Sequence, residues 1–229
     1  MQNRYARQIG LSGFGEESIK KLKNTKIVVI GAGGVGSAAL PLLAGAGVGK
    51  IVVADGDVVS ISNLHRQTLY TESGVAKGKA RLAAMRLNEI NSEVSATFVE
   101  KYFYDEASVE EIVRGADLCI DATDNFRSRI LISEVCLKCA VPEILSSAGG
   151  YLSQLYMLGG GISFGSIVGD ANAKHEGSMG LPVFGPAAHL SGVWGAGTAI
   201  RVAVGAQKFE PGTIQSFDFS NGKFFKFKI

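Results

Sequence analysis

Three glycines at a fixed spacing give the first indication of chemistry in this chain. The apolar run Lys26 to Ile30 breaks into Gly31, Gly33 and Gly36, which satisfy the spacing G-x-G-x-x-G, and a run of small residues follows. Such a loop lets the backbone turn tightly and approach a phosphate, while free amides and a helix N-terminus face the anion. The loop therefore predicts a bound nucleotide, although dehydrogenases, flavoproteins and ATP-using enzymes share this spacing.

The residue Asp55 extends that prediction to the sugar. It ends a second apolar run and follows the glycines at about the twenty-residue distance at which a carboxylate can accept both ribose hydroxyls. A dinucleotide and ATP fit this pattern equally well.

Charged residues beyond Asp55 favour a triphosphate. Arg66 and Lys79 are two cations, and Asp124 is a further carboxylate just past another apolar run. Attack on ATP needs charge neutralisation by arginine, lysine and Mg²⁺, which a diphosphate cofactor does not require. The alternatives are solvated surface charges for Arg66 and Lys79, and a structural turn for Asp57.

The elements that must position these residues alternate along the chain. Apolar runs predict strands at 27–30, 51–53, 94–99, 118–120 and 143–147, and helical patterns lie near 34–46, 76–90, 105–114 and 126–139. This alternation predicts an α/β, Rossmann-like, mostly parallel sheet with helices on both faces. A helix at 189–206 and strands near 213–218 and 223–229 predict an antiparallel C-terminal extension. Pro41 is expected to kink or shorten the first long helix.

Composition narrows the class of protein. The chain has 229 residues, 46% of them hydrophobic, which suits one domain with an extensive core. A net charge of +2 gives no broad electrostatic reason to bind nucleic acid or a membrane. The uncharged run 27–49 is long enough to cross a bilayer, but its glycines argue against a membrane span. Three clustered cysteines and a start without an apolar signal core favour a cytoplasmic protein.

Six ordered motifs carry a family resemblance. They are Arg4-Tyr-Ala-Arg7-Gln, Gly31-Ala-Gly-Gly-Val-Gly-Ser37, Ala-Asp55-Gly-Asp57, Ser-Asn63-Leu-His-Arg66-Gln67, Lys79 and Ala122-Thr-Asp124-Asn. Together they resemble the ThiF/MoeB/HesA adenylyltransferases, relatives of ubiquitin-activating enzymes, over nearly the whole chain. The resemblance implies MgATP-dependent adenylation of the C-terminal Gly-Gly carboxylate of a ubiquitin-like sulfur-carrier protein of the ThiS or MoaD type, with release of pyrophosphate. Thiamin, molybdenum-cofactor or related sulfur-transfer biosynthesis would be the setting.

The resemblance also implies roles for individual residues. Asp55 would hold the ribose, Asp124 would hold Mg²⁺, and Arg7 would reach into the partner subunit's site in a homodimer. Arg7, Arg66, Lys79 and Asp124 would be catalytic. The nucleotide-binding set would be Gly31, Gly33, Gly34, Gly36, Asp55, Asp57, Asn63, Arg66, Gln67 and Lys79.

The chain departs from the family pattern in its cysteines. Many relatives carry two Cys-x-x-Cys pairs that bind zinc, whereas the only such spacing here, Cys136 to Cys139, lies in a predicted helix without a second pair. We therefore expect a zinc-less variant. No cysteine follows Cys139 in this sequence, so a thioester or acyl-disulfide step through a later cysteine is not expected.

We therefore expect one domain with three parts. They are a helical arm at 1–24, a nucleotide-binding half at 25–148 and a half at 149–229 that binds the carrier and forms the dimer contact. Within that last half, 165–188 is expected to form a mobile crossover loop over the carrier tail. The region from Ile144 to Ile200 carries only Asp170, Lys174 and Glu176 as formal charges, which suits burial or an interface.

Three other functions remain open from the sequence. A tRNA threonylcarbamoyladenosine dehydratase uses the same fold, although the Arg-Tyr-x-Arg-Gln start and the lack of a basic extension weigh against it. A nicotinamide oxidoreductase is disfavoured by Arg66, Lys79 and Asp124. A non-catalytic partner subunit of an activating enzyme would tend to lose its nucleotide residues, and here the set is intact.

Overall fold

One sheet of eight strands organises the chain in the computed structural model, which describes residues 4–169 and 182–229. The strands are β1 Lys26–Ile30, β2 Lys50–Ala54, β3 Ser95–Val99, β4 Leu118–Asp121, β5 Glu143–Gly149, β6 Leu152–Leu158, β7 Thr213–Asp218 and β8 Lys223–Lys228. Their order across the sheet is β3-β2-β1-β4-β5-β6-β7-β8.

Eight α-helices lie within the described residues. They are α1 Ala6–Ile9, α2 Glu16–Asn24, α3 Gly34–Ala46, α4 Lys79–Ile90, α5 Glu106–Val113, α6 Phe126–Lys138, α7 Phe164–Val168 and α8 Gly185–Val204. The last of these begins four residues earlier than the predicted 189, because Pro186 stands in its first turn, where proline fits a helix.

The sheet direction confirms the predicted fold class. Strands β1 to β5 pair in parallel, and β6, β7 and β8 extend the sheet by antiparallel pairing. Between β1 and β4 the connections turn to opposite sides, since β2 and β3 lie on one flank and β5 on the other. Ligands of open α/β sheets bind at such a switch point, beyond the carboxyl ends of the strands.

Alternation along β1 assigns its side chains to two cores. Ile27 and Val29 pack with α2, α3, α4 and α8 on one face of the sheet. Val28 and Ile30 pack with α5 and α6 on the other face. Both faces of the parallel strands are therefore covered, as continuous apolar runs predict.

The helix α3 runs through Pro41 to its predicted end at Ala46, so the proline does not shorten it. Proline removes one backbone hydrogen bond, yet tertiary packing holds the helix on both sides of it. Gly192 in α8 is the point of close contact, because a Cβ there would lie 2.2 Å from the carbonyl oxygen of Val35.

The N-terminal arm packs at the C-terminal ends of α3 and α4. The buried ring of Tyr5 lies against Gly47, the residue after α3, where a Cβ would come within 2.8 Å of it. The side-chain nitrogen of Asn91, the residue after α4, donates to the Tyr5 hydroxyl at 3.0 Å. Since α3 and α4 begin at the carboxyl ends of the strands, the arm sits at the opposite edge of the sheet.

The uncharged run 27–49 folds as β1 and α3 rather than as one long helix. Across residues 4–169 and 182–229, none of the helices combines the length and the apolar character that crossing a membrane requires.

A carboxyl group is buried at the start of β5. Glu143 is only 1% exposed, and neither side-chain oxygen has a hydrogen-bond partner of standard geometry among the described residues. Burial raises the pKa of Glu143 well above its usual value, and the nearby Cys136 and Asp121 act in the same direction. The folded protein therefore favours the protonated form of this side chain.

Replacing this acid by its neutral isostere should flatten the pH dependence of stability. The folded pKa is raised, so the unfolded state loses its proton first and stability falls as the pH rises above about 4.5. We expect Glu143→Gln to reduce the loss of unfolding free energy between pH 5 and pH 8 by about 1–2 kcal/mol, measured by urea denaturation. Glu111→Gln, at an exposed position, is the control. Equal slopes in Glu143→Gln and the wild type would contradict burial of a neutral acid.

Candidate nucleotide site

A cavity of about 670 Å³ opens at the switch point between β1 and β4. Its volume is within the range of small-molecule sites. The lining comes from the residues that follow β1, β2, β3 and β4, from the start of α4 and from Val183 and Ala188 near the start of α8. The carboxyl ends of the parallel strands thus meet in one place, as the sequence predicted.

The structure constrains the three motif glycines to different degrees. Gly31 has a φ of +97°, and a Cβ there would lie 2.7 Å from the backbone of Ala122, which follows β4. At Gly36 a Cβ would lie 2.0 Å from the carbonyl oxygen of Gly31. Gly33 meets no such limit, since its nearest neighbour, the amide nitrogen of Gln67, would be 3.6 Å from a Cβ. A methyl group at Gly33 would thus fit in ordinary van der Waals contact with the Gln67 side chain, and packing within the chain does not require glycine there.

The start of α3 presents backbone amides to this cavity. Gly33 is the N-cap residue and no side chain caps the helix, while Gly33, Gly34 and Val35 all line the cavity. The first amides of a helix have no partner within the helix, and the helix dipole favours an anion there. This end of α3 is suited to a phosphate group.

Asp55 is held rigidly at the end of β2. Its carboxylate accepts the amide of Ala32 at 2.7 Å with one oxygen and the amide of Asp57 at 2.7 Å with the other. Burial raises the pKa of Asp55, and the hydrogen bond from Ala32 opposes that rise. Each oxygen keeps a lone pair that could accept a ribose hydroxyl.

The Lys79 ammonium is paired with Asp57. Lys79 begins α4, its side chain is 6% exposed, and its Nζ lies 2.9 Å from Oδ2 of Asp57. The hydroxyl of Tyr102 donates to the other oxygen of Asp57. Burial raises the pKa of Asp57, but the hydrogen bonds from Tyr102 and Lys79 outweigh it, so the pKa lies below its usual value. The same hydrogen bond raises the pKa of Tyr102 to about 12, which keeps its hydroxyl a donor.

Arg66 lines the cavity next to α8. Its guanidinium donates to the carbonyl of Ser62 at 3.1 Å and lies 2.7 Å from Nε2 of His65. The ring of His189 in α8 contacts the Arg66 carbonyl oxygen at 3.0 Å. Gln67 is 3% exposed, and its buried amide oxygen has no hydrogen-bond partner in the described part of the chain.

The loop after β4 is fixed through Thr123. Its amide donates to Asp121 at 2.8 Å, and its carbonyl accepts two hydrogen bonds from the guanidinium of Arg129, at 3.1 and 2.7 Å. Burial raises the pKa of Asp121, and the charge of Arg129 opposes that rise. Asp124 follows directly and is exposed at the cavity wall.

The donor set around Asp124 is compatible with Mg²⁺. None of the described cationic side chains forms an ion pair with its carboxylate within 4.0 Å. Mg²⁺ is commonly held by one or two carboxylates together with substrate phosphates and water, so a single exposed aspartate that accepts one long hydrogen bond from Asn125, at 3.5 Å, is compatible with it. The described residues do not contain a cluster of three or more His, Cys, Asp or Glu suited to hold a metal without such help.

Most of the predicted site residues line this cavity. They are Gly31, Gly33, Gly34, Asp55, Asp57, Asn63, Arg66, Gln67, Lys79 and Asp124. Gly36 does not line it and packs against Gly31 instead. Arg7 is exposed on the arm at the opposite edge of the sheet and does not line it either. The alternative of a solvated Lys79 is wrong, because that side chain is buried.

Sequence reasoning missed several cavity residues, including two that follow β3 and one in α6. Lys101 and Tyr102 follow β3, and Arg129 lies one turn into α6. The rule used for the other strands, that ligands bind beyond their carboxyl ends, would have found the first two if applied to β3. Arg129 has no comparable signal, because only the fold brings α6 under the loop of Thr123.

The cysteines lie in or beside the core. Cys119 and Cys136 are fully buried between β4 and α6, and Cys139 is partly buried just after that helix. Of the predicted crossover loop at 165–188, residues 170–181 lie outside the described residues.

Two single alanine substitutions should separate folding from ligand binding in the glycine loop. Gly36→Ala forces a Cβ onto the Gly31 carbonyl and should cost about 3 kcal/mol or more of unfolding free energy. Gly33→Ala places a Cβ in ordinary van der Waals contact with Gln67 and should cost under about 1 kcal/mol, yet weaken nucleotide binding at least ~10-fold. Chemical denaturation and calorimetric titration with ATP measure the two effects. Unchanged ATP affinity in Gly33→Ala would contradict a phosphate at this loop.

Comparison with known proteins identifies the family of the chain. The profile of the ThiF family matches residues 5–229. The sulfur carrier protein ThiS adenylyltransferase of Escherichia coli is 37% identical over 155 residues, which is 68% of this chain and 61% of that protein. The probable molybdopterin-synthase adenylyltransferase of Gracilaria tenuistipitata is 33% identical over 229 residues, 99% of this chain and 64% of that protein. The SAMP-activating enzyme E1 of Haloferax volcanii is 41% identical over 62% of this chain and 52% of its own length.

Solved structures agree on the fold. The crystal structure of Escherichia coli MccB with ATP superimposes with a TM-score of 0.84 at 21% identity and covers 100% of this chain and 71% of that one. The chain spans 52% to 64% of the length of these three curated relatives. The match over nearly all of its residues shows that the chain belongs to the ThiF family.

Proposed function

We propose that this chain adenylates the C-terminal Gly-Gly carboxylate of a small ubiquitin-like sulfur-carrier protein, using MgATP and releasing pyrophosphate. The observation that supports this most directly is the content of one cavity. A glycine loop with free amides, the cations Arg66 and Lys79, and the exposed carboxylate of Asp124 line it together. Relatives named as adenylyltransferases for ThiS and for molybdopterin synthase supply the substrate class.

The reaction joins two anions. An oxygen of the carrier's terminal carboxylate attacks the α-phosphorus of ATP, and the bond from that phosphorus to the bridging oxygen of pyrophosphate breaks. The products are an acyl adenylate and pyrophosphate. A carboxylate is already ionised at neutral pH, so no protein base has to remove a proton.

In this reaction the residues of the chain hold ATP in place and neutralise the negative charge of its phosphates. The amides at the start of α3 bind phosphate oxygens, Asp55 accepts the ribose hydroxyls, and Arg66, Lys79 and Asn63 contact the triphosphate. Fixed cations that face the leaving group favour its departure, because they need not reorganise as charge develops. Mg²⁺ held by Asp124 would supply further charge neutralisation at the phosphate oxygens.

The antiparallel part of the sheet offers a surface for the carrier's folded body. Pairing of β8 with β7 places Phe225 beside Ser216 and Phe227 beside Ile214, on the face opposite α8. Phe225 and Phe227 are each 51% exposed. Exposed aromatic side chains on one face are typical of a protein-binding surface, which fits the carrier and dimer half proposed at 149–229.

The position of Arg7 supports a shared site. The arm contacts the C-terminal ends of α3 and α4, whereas Gly34 and Lys79 line the cavity at their N-terminal ends. The 13 residues of α3 span about 20 Å, which is farther than an arginine side chain reaches. Arg7 therefore acts in the cavity of a second copy in the proposed homodimer.

Adenylation is the whole covalent contribution that we assign to these residues. None of residues 140–229 is a cysteine, so we assign no step of sulfur transfer in thiamin, molybdenum-cofactor or related biosynthesis to them. The proposed location is the cytoplasm.

Pyrophosphate exchange tests the proposed function. Labelled pyrophosphate should enter ATP only when a carrier with an intact Gly-Gly terminus is present, because the acyl adenylate must form before it can revert. A carrier that lacks its last glycine is the matched control and should give no exchange.

The same assay distinguishes the other functions. Exchange without any carrier would contradict the proposal. Exchange with tRNA alone would favour the dehydratase, and none with any carrier or tRNA would favour a non-catalytic subunit.

Complementation tests Arg7 in the second copy. Arg7→Ala and Asp124→Ala should each lower exchange at least ~100-fold, the latter by loss of Mg²⁺. In an equal mixture half of the dimers are mixed, and each has one cavity with both residues intact, so about one quarter of wild-type activity should return. Arg86→Ala, at an exposed arginine on α4, should be fully active. A mixture as inactive as its components would refute Arg7 acting across the dimer.

A further inference from the structure

A hydrogen-bonded chain links the ribose end of the cavity to its phosphate end. Asp55 accepts the Asp57 amide at 2.7 Å, and the Asp57 carboxylate binds the Lys79 ammonium at 2.9 Å. The free oxygen of Asp57 accepts the Tyr102 hydroxyl. The Asp57 carboxylate thus connects Tyr102 to Lys79, a cation of the proposed triphosphate site.

The loop after β2 is shaped to receive the Tyr102 ring. A Cβ at Gly56 would lie 2.7 Å from two ring carbons of Tyr102 and 2.9 Å from a third. Gly56 has no positive φ, so its lack of a side chain is explained by this contact rather than by its backbone conformation. The ring also stacks on Tyr104, with centroids 6.0 Å apart.

Burial differs along the chain of contacts. The side chain of Lys79 is 6% exposed, whereas that of Asp57 is 52% exposed. A half-exposed carboxylate that binds only a lysine can rotate toward water, and a buried ammonium would then lose its counter-ion. The Tyr102 hydroxyl opposes that rotation because it binds the second carboxylate oxygen.

We propose that Tyr102 is a positioning residue that directs Lys79 into the cavity by fixing the Asp57 carboxylate. Its consequence for catalysis rests on the proposed function, whereas its effect on Lys79 does not. With Asp57 fixed, one ammonium proton is engaged by the carboxylate and the others face a phosphate. The Tyr102 hydroxyl contacts neither Lys79 nor the reacting atoms in this arrangement.

The chemical reactivity of Lys79 in the ligand-free protein tests whether Tyr102 affects the position of Lys79. Trace labelling with acetic anhydride, quantified by mass spectrometry against the exposed Lys20, reports how firmly each ammonium is held. Tyr102→Phe should raise the relative rate at Lys79 about 3- to 10-fold, as expected for loss of one hydrogen bond to a charged group. Gly56→Ala should act in the same direction, because the new Cβ displaces the ring.

Two further variants serve as the negative and the positive control for this measurement. Tyr104→Phe keeps the ring beside Tyr102 and should leave Lys79 labelling at the wild-type rate. Asp57→Asn removes the counter-ion and should raise the rate at least as much as Tyr102→Phe. Wild-type labelling of Lys79 in Tyr102→Phe overturns the proposal, since a purely structural tyrosine would leave that lysine unchanged. Tyr102 is 52% exposed, so the variant should remain folded.

Steady-state pyrophosphate exchange tests the consequence of this positioning for catalysis. Tyr102→Phe should raise the KM for ATP about 5-fold with a smaller change in kcat, and Tyr104→Phe should change neither. Faster Lys79 labelling with an unchanged KM and kcat overturns the positioning role in the reaction. If wild-type protein shows no exchange at all, the proposed function fails, and the labelling experiment still decides the link between Tyr102 and Lys79.

Discussion

The close contact between Gly31 and Gly36 is the constraint on which the rest of the site depends. A Cβ at residue 36 would lie 2.0 Å from the Gly31 carbonyl, and one at residue 31 would lie 2.7 Å from the backbone after β4. Only glycine at both positions lets α3 begin directly against β1 and β4. That approach turns the first amides of α3 toward the switch point, where the residues after β2, β3 and β4 converge. The cavity is therefore a consequence of backbone packing before any side chain contributes to it.

A second constraint is electrostatic, since three aspartates besides Asp124 stand near a site proposed for a polyanion. Each has internal partners: Asp55 accepts two backbone amides, Asp57 binds Lys79 and Tyr102, and Asp121 faces Arg129 and the Thr123 amide. Their negative charge is thereby spread over donors within the protein, whereas Asp124 is exposed, accepts a long hydrogen bond from the Asn125 side chain and forms no ion pair among the described residues. The arrangement separates carboxylates that hold the frame from one that can hold a cation.

Local sequence features predicted much of this structure, and the errors arose from tertiary contacts. The predicted helix 34–46 and strand 213–218 match α3 and β7 residue for residue, because glycine spacing and alternation are local signals. Pro41 did not shorten α3, because packing on α8 outweighs one lost hydrogen bond. The burial of Lys79 depends on contacts with other parts of the chain, and the position of Arg129 depends on how α6 meets the loop after β4, where the Thr123 carbonyl accepts its guanidinium. Glu143 read as an ordinary strand residue, although the sheet register puts it beside Cys119 in the core.

The direction of the helices explains why one chain cannot supply every proposed group. In a parallel sheet each connecting helix starts near the ligand edge and ends at the opposite edge. The arm is anchored to Gly47 and Asn91, the residues that follow α3 and α4, so its side chains are fixed at the far edge. An arginine on that arm can meet a triphosphate only if a second copy brings its far edge to the first copy's ligand edge. Under the proposed function, dimerisation is thus a requirement of the fold's geometry, and the buried Tyr5 fixes which end of the molecule must take part.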